Sequence, residues 1–181
     1  GNLTLTGNET VSGTLSVNGV TTLQNHLLIR TSVTVSSQLS VGGDTTLSGL
    51  VTVVSSVSVG VGMTVTGSQT VSGVLSVGNN LRVTGATVLS GTLSVDKEVV
   101  MSSSLSVGSD VRITGLTVLS NTVTMISNVS VGSDVKITGN TTMSGTLSIN
   151  KTVTLASDLS VGSDVKVTGN TLMSGTLSVN K

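Results

Sequence analysis

Residues 105–125 read LSVGSDVRITGLTVLSNTVTM, and the spacing within this stretch decides the fold. Leu105, Val111, Thr117 and Val123 stand six residues apart, as do Val107, Ile113, Leu119 and Met125 two places later. Between the two series lie Ser106, Arg112, Val118 and Thr124. Such alternation over three residues is the period-2 pattern of a short strand, with its first and third side chains turned inward. The intervening triplets, such as Gly108-Ser109-Asp110, consist of turn-forming residues. An α-helix would repeat its apolar face every three or four residues and cannot hold a period of six. Each hexad is therefore predicted as one three-residue strand and one corner.

The register runs outward from this stretch in both directions without an insertion. With the hexad lettered a to f from Gly1, every e position from Leu5 to Val179 is Val, Leu, Ile or Met. Position c is Leu eleven times, Val ten and Thr six, with Met63, Glu9 and Gln69 completing the series. Position d, which points outward, is Ser or Thr in 21 of 30 hexads. Glycine occupies a in 15 of 31 cases and f in six more, which reads as a backbone demand at the corners. Longer near-copies of 24 and 30 residues overlie the hexads, so single hexads are gained or lost and all corners must be equivalent. Three equivalent sides close into a triangular prism. The prediction is an all-β hexad-repeat β-solenoid of triangular cross-section, one continuous array over residues 1–181. Gly1 and Lys181 both fall in mid-repeat, which predicts a segment of a longer fibre.

Composition excludes several function classes. The 181 residues include no Phe, Trp, Tyr, Pro or Cys, and 9% are charged. A core without a single aromatic ring is narrow and regular, because rings are the usual way to fill a wide one. Regularly placed Val, Leu, Ile and Thr argue against disorder. A formal net charge of zero gives no general attraction to nucleic acid or anionic lipid. No apolar run approaches the length of a membrane span.

One chain winding alone would place residue i beside i+18, whereas three interwoven copies would place i beside i+6 of a neighbour. Side-chain volume bears on the choice. All six hexads with Thr at c carry Leu or Met at e, as in Thr45 with Leu47 and Thr141 with Met143. Ten of the eleven with Leu at c carry Val or Ile at e. Tight interiors penalise both voids and overpacking. Balance inside each hexad is what a homotrimer needs, since there the same hexad appears three times at each level. The pattern favours the interwoven homotrimer.

Strings such as GNLTLTGNETVSGTLSVNG (1–19) and TGATVLSGTLSV (84–95) resemble the shaft repeats of phage tail fibres and of fibre proteins from large algal viruses. The resemblance covers the whole chain. It implies a homotrimeric, non-enzymatic shaft on a virion surface or in the extracellular space, with attachment domains elsewhere and with itself and other fibre components as partners. The alternative is a single-chain β-solenoid serving as an adhesin stalk or an ice-binding surface. No catalytic, cofactor-binding or metal site is expected, and no cofactor.

His26, the single histidine, lies at an outward corner and reads as a solvated side chain, since acid–base work needs a second placed group and a cavity. The repeated corners Gly108-Ser109-Asp110, Gly132-Ser133-Asp134 and Gly162-Ser163-Asp164, each followed two residues later by Arg112, Lys136 or Lys166, read as turns with a weak surface ion pair. Outward Thr pairs (Thr122 and Thr124; Thr152 and Thr154) resemble hydroxyl arrays of ice-binding solenoids, but Thr, Ser, Lys, Arg, Val and Leu alternate along the chain, so no regular face is expected. Leu116, Val118 and Ile126 offer a lateral contact, but single exposed aliphatics are the expected reading. Glu9 and Gln69 point inward, and Gln69 is the candidate for an internal polar layer. Asn-x-Ser/Thr triplets begin at Asn2, Asn8, Asn128, Asn140 and Asn150, as chance predicts in so Ser/Thr-rich a chain.

Overall fold

The computed structural model describes residues 2–180; Gly1 and Lys181, the two ends of the predicted array, lie outside them. It contains thirty strands, β1 (Leu3–Leu5) to β30 (Leu177–Val179), each of three residues and each starting six after the last. Every strand spans positions c, d and e, as the alternation predicts. Strands pair in parallel with the third strand before and the third after, forming three ten-stranded sheets. One sheet runs β1, β4, β7 and onward to β28, the second runs from β2 to β29, and the third from β3 to β30. The register is i with i+18: Met63 lies beside Leu81, and Val65 beside Val83. Ten coils of one chain thus make a three-sided prism, stacked at ~4.8 Å per coil.

Backbone pairing does not stop where the strands stop. Thr45 N–H donates to the Gly62 carbonyl at 2.9 Å, and Val54 N–H to the Val35 carbonyl at 3.0 Å, extending the ladders into the corners. Polar backbone groups are paired along the axis, which lets so thin a body keep its main chain dry on the inner side.

Positions c and e fill the interior. From Leu23 to Val161 every inward aliphatic is 5% exposed or less, and all three sheets contribute alike. A gap in the core of about 20 Å³, among Leu105, Met125, Met143 and Leu159, is too tight and too apolar to hold more than one unbonded water. Each coil is covered by its neighbours: Leu159 is 3% exposed, whereas Leu177, its partner in the last coil, is 45% exposed. Stacking is therefore what buries the core, as in other one-dimensional repeat bodies.

The glycines serve a different purpose from the predicted one. Among the described residues no backbone has positive φ, so the corners ask for no left-handed angles. Their demand is space. A Cβ on Gly67 would stand 2.1 Å from the Gly49 carbonyl oxygen, and one on Gly85 2.4 Å from that of Gly67. Gly49, Gly67 and Gly85 succeed one another at one corner, and at each of these levels a Cβ would collide with the backbone of the coil before.

Candidate functional site

Position b closes each corner, and its side chain has one recurring task. The backbone N–H of residue b in one coil points at residue b of the coil before, eighteen residues earlier. Asp44 Oδ1 accepts from Gly62 N–H at 2.9 Å, Asn80 Oδ1 from Glu98 at 3.2 Å, and Asp158 Oδ1 from Thr176 at 2.8 Å. Short Asx side chains suit this role because they reach neighbouring backbone groups with little loss of freedom.

The Gly-Ser-Asp corners at Asp110 and Asp134 belong to this system, which corrects the ion-pair expectation for those two. Asp110 accepts from Asn128 N–H at 3.2 Å, and Asp134 from Thr152 N–H at 2.9 Å, rather than pairing with Arg112 and Lys136. A carboxylate two residues from a cation in a strand is turned along the axis, toward the next coil. The Ser127 hydroxyl, together with the Asn128 N–H, holds the Asp110 carboxyl below the usual carboxylate range. Asn2 and Asn128 accept backbone N–H groups in the same way, and Asn140 bonds the Ser157 hydroxyl, so these acceptor triplets already have a structural use.

His26 lies on such a corner with its side chain exposed, and its Nε2 is 3.9 Å from Asp44 Oδ2. This carboxylate partner stands eighteen residues on, a separation that the six-residue pattern does not reveal. The pair lies open to water, and Asp44 is already committed to Gly62 N–H. Among the described residues no group of three or more His, Asp or Glu is placed to hold a metal ion.

The eighteen-residue register also sorts the outward d positions, and the mixed-face expectation holds on the second sheet but fails on the third. The third sheet presents Ser or Thr on nine of its ten strands, Val88 being the exception. The first sheet presents them on eight of ten, interrupted by Arg112 and Lys166. The second presents them on four of ten. In that sheet Arg82, Val100, Val118 and Lys136 lie side by side on successive strands. The same geometry separates the three exposed aliphatics, in line with their reading as single surface residues. Val118 lies on the second sheet and Leu116 at the corner leading into it, while Ile126, 62% exposed, sits at the corner leading from the third sheet to the first.

Inward polar residues form the remaining class. Gln69 is fully buried, with its Nε2 3.9 Å from Met63 Sδ on the adjacent side of the coil. Its Oε1 has no partner, and neither do the hydroxyls of buried Thr21, Thr45, Thr87, Thr117 and Thr141. Thr87 is the strand neighbour of Gln69, yet the two do not bond to each other. Glu9, in contrast, is half-buried in the first coil. Comparison of the chain with family models, with curated proteins and with solved structures gives no match.

Proposed function

We propose that this chain is a non-enzymatic structural shaft, a rigid spacer between a base and an attachment domain of a virion-surface or cell-surface fibre. One observation carries the reading: thirty strands keep one register without a single excursion, around an interior filled by aliphatic side chains. Chemistry needs a pocket with converging polar groups. A spacer needs continuous pairing and uniform cross-section, which this repeat supplies. In the full form of the proposal three copies interweave, each giving one hexad per level, with the same three-residue strands and inward positions. Exchange of equivalent elements between identical chains is a low-cost route to such an assembly. Volume balance within each hexad supports it.

Electron microscopy with limited proteolysis tests the shaft. Straight rods of uniform width that resist cleavage from residue 2 to residue 180 are expected. Rapid cleavage at internal corners, or globular particles, would reject it.

A second reading is favoured by the hydroxyl face of the third sheet. On a single-chain solenoid, Thr34, Thr52 and Thr70, and then Thr124 and Thr142, form a flat row at the ~4.8 Å strand spacing. Such a row suits a periodic surface, ice or a crystalline polysaccharide. Retention of the isolated segment on either surface, abolished by Thr52→Lys with Thr124→Lys, would support this reading over the shaft.

A further inference from the structure

A repeat as uniform as this one poses a register problem for any three-chain assembly. Nearly every hexad offers aliphatic residues at c and e, so one chain slipped by six residues would meet the same kind of core. Register is weakly specified wherever pattern alone sets it. The loss on slipping would be one level out of thirty.

Six buried positions break the uniformity. Gln69, Thr21, Thr45, Thr87, Thr117 and Thr141 are each 2% exposed or less, and each carries a polar atom without a hydrogen-bond partner when one chain winds alone. Their neighbours on the other two sides of the coil explain why. Thr21 faces Leu15 and Leu27, Thr117 faces Val111 and Val123, and Gln69 faces Met63 and Leu75. A buried donor or acceptor left unmet is costly, and native interiors seldom keep six of them.

We propose that these residues form closed polar layers among three copies of this chain and thereby fix the register of the copies. The inference rests on the three-chain form of the shaft proposed above. At each such level a side chain meets two copies of itself. Three hydroxyls close a ring in which each donates to one neighbour and accepts from the other, and three amides do the same. The reach is adequate, since Gln69 Nε2 already contacts the side chain on the adjacent side of the coil. The layers stand four, four, three, five and four hexads apart, so a slip of one or two hexads re-matches none of them. Single buried polar residues select register in other helical assemblies by the same logic.

The test uses the full chain carrying a nitroxide on Thr64→Cys, an exposed outward position, with pulsed dipolar spectroscopy and mass measurement. It is compared with a layer-free variant bearing Gln69→Leu and Thr→Val at positions 21, 45, 87, 117 and 141. Val beside a long e residue already occurs in Val123–Met125 and Val153–Leu155, so the replacements fit the core. The expected result is a trimer in both cases. The parent gives one narrow distance class. In the variant the out-of-register fraction rises at least ~10-fold, because even one unmet layer biases the equilibrium by about that factor. A trimeric variant with an unchanged narrow distribution would overturn the inference and leave the trimer standing. Failure of the variant to assemble would overturn it too, by making the layers essential to assembly rather than to register. A monomeric parent would overturn the three-chain reading itself.

Discussion

Ser130 and Val131 are neighbours in one strand, β22 (Val129–Val131), yet they belong to different repeats. Val131 is one of thirty inward e residues, interchangeable with its counterparts in all three sheets and 3% exposed. Ser130 belongs to the outward row of the first sheet, and its counterparts on the second sheet include Arg82, Val100 and Lys136. The interior thus repeats every six residues and the exterior every eighteen. A six-residue interior is satisfied by one chain or by three, because both present aliphatic c and e residues at every level. An eighteen-residue exterior has a meaning only where a chain returns to the same face. Volume balance and the unmet polar atoms speak for three chains, and the sorted hydroxyls speak for one. The comparison separates what makes the fold from what distinguishes its assemblies.

The largest expected effect lies across that divide. Val131→Asp should abolish folding, since a carboxylate moved into an aliphatic core costs several kcal/mol and has no counter-ion there. Ser130→Asp should leave the circular-dichroism spectrum and thermal midpoint nearly unchanged. Equal tolerance of the two would refute the inward assignment of e.

Coil-to-coil approach comes next. Gly67→Ala is expected to lower stability by about 1–3 kcal/mol, as overpacking does, because its Cβ meets backbone 2.1 Å away. Gly13→Ala should be close to neutral, as nothing lies within 4 Å of its Cβ. Denaturant midpoints of the two variants read the difference directly. A neutral Gly67→Ala would mean that the corners have more room than the stacking implies.

On the exterior the expected changes are small. Thr124→Lys on the third sheet and Val118→Lys on the second should each shift stability by no more than about 0.5 kcal/mol, the ordinary range for exposed positions. If the third face binds a periodic surface, Thr124→Lys alone should weaken retention. Indifference to both confines the exterior to solubility.

The smallest effect is one of pH. The Asp110 carboxyl is held below its usual range in the folded state, so its contribution to stability is fully present above the unfolded value. It fades as pH falls through the lowered folded value. Asp110→Asn should therefore flatten the acid limb of a stability-versus-pH curve while leaving neutral pH little changed. An unaltered acid limb would show that the Ser127 and Asn128 bonds to Asp110 are not maintained in solution.

Most of the strand architecture was legible from the residues alone. The c-d-e alternation placed all thirty strands, and the interchangeability of corners predicted three sides. What escaped were features that depend on which residue lies in the next coil. The bond from Asp44 to Gly62, the pairing of His26 with Asp44 and the hydroxyl face of the third sheet all require a separation of eighteen. The hexad pattern does not specify that separation, because the interior is the same at six. The role of glycine was misread for a related reason. A turn-forming residue suggests unusual backbone angles, whereas here the constraint is the neighbouring coil. Gln69 was legible as an inward polar residue, but its lack of partners was visible only once its coil neighbours were placed.

Small-angle scattering with light-scattering mass on the purified segment tests the interwoven shaft most directly. The account predicts three times the 18.0 kDa chain mass and a rod of ~145 Å, one level per hexad at the strand spacing. A particle of one chain mass and ~50 Å would contradict it and leave a single-chain solenoid whose outer faces carry its function.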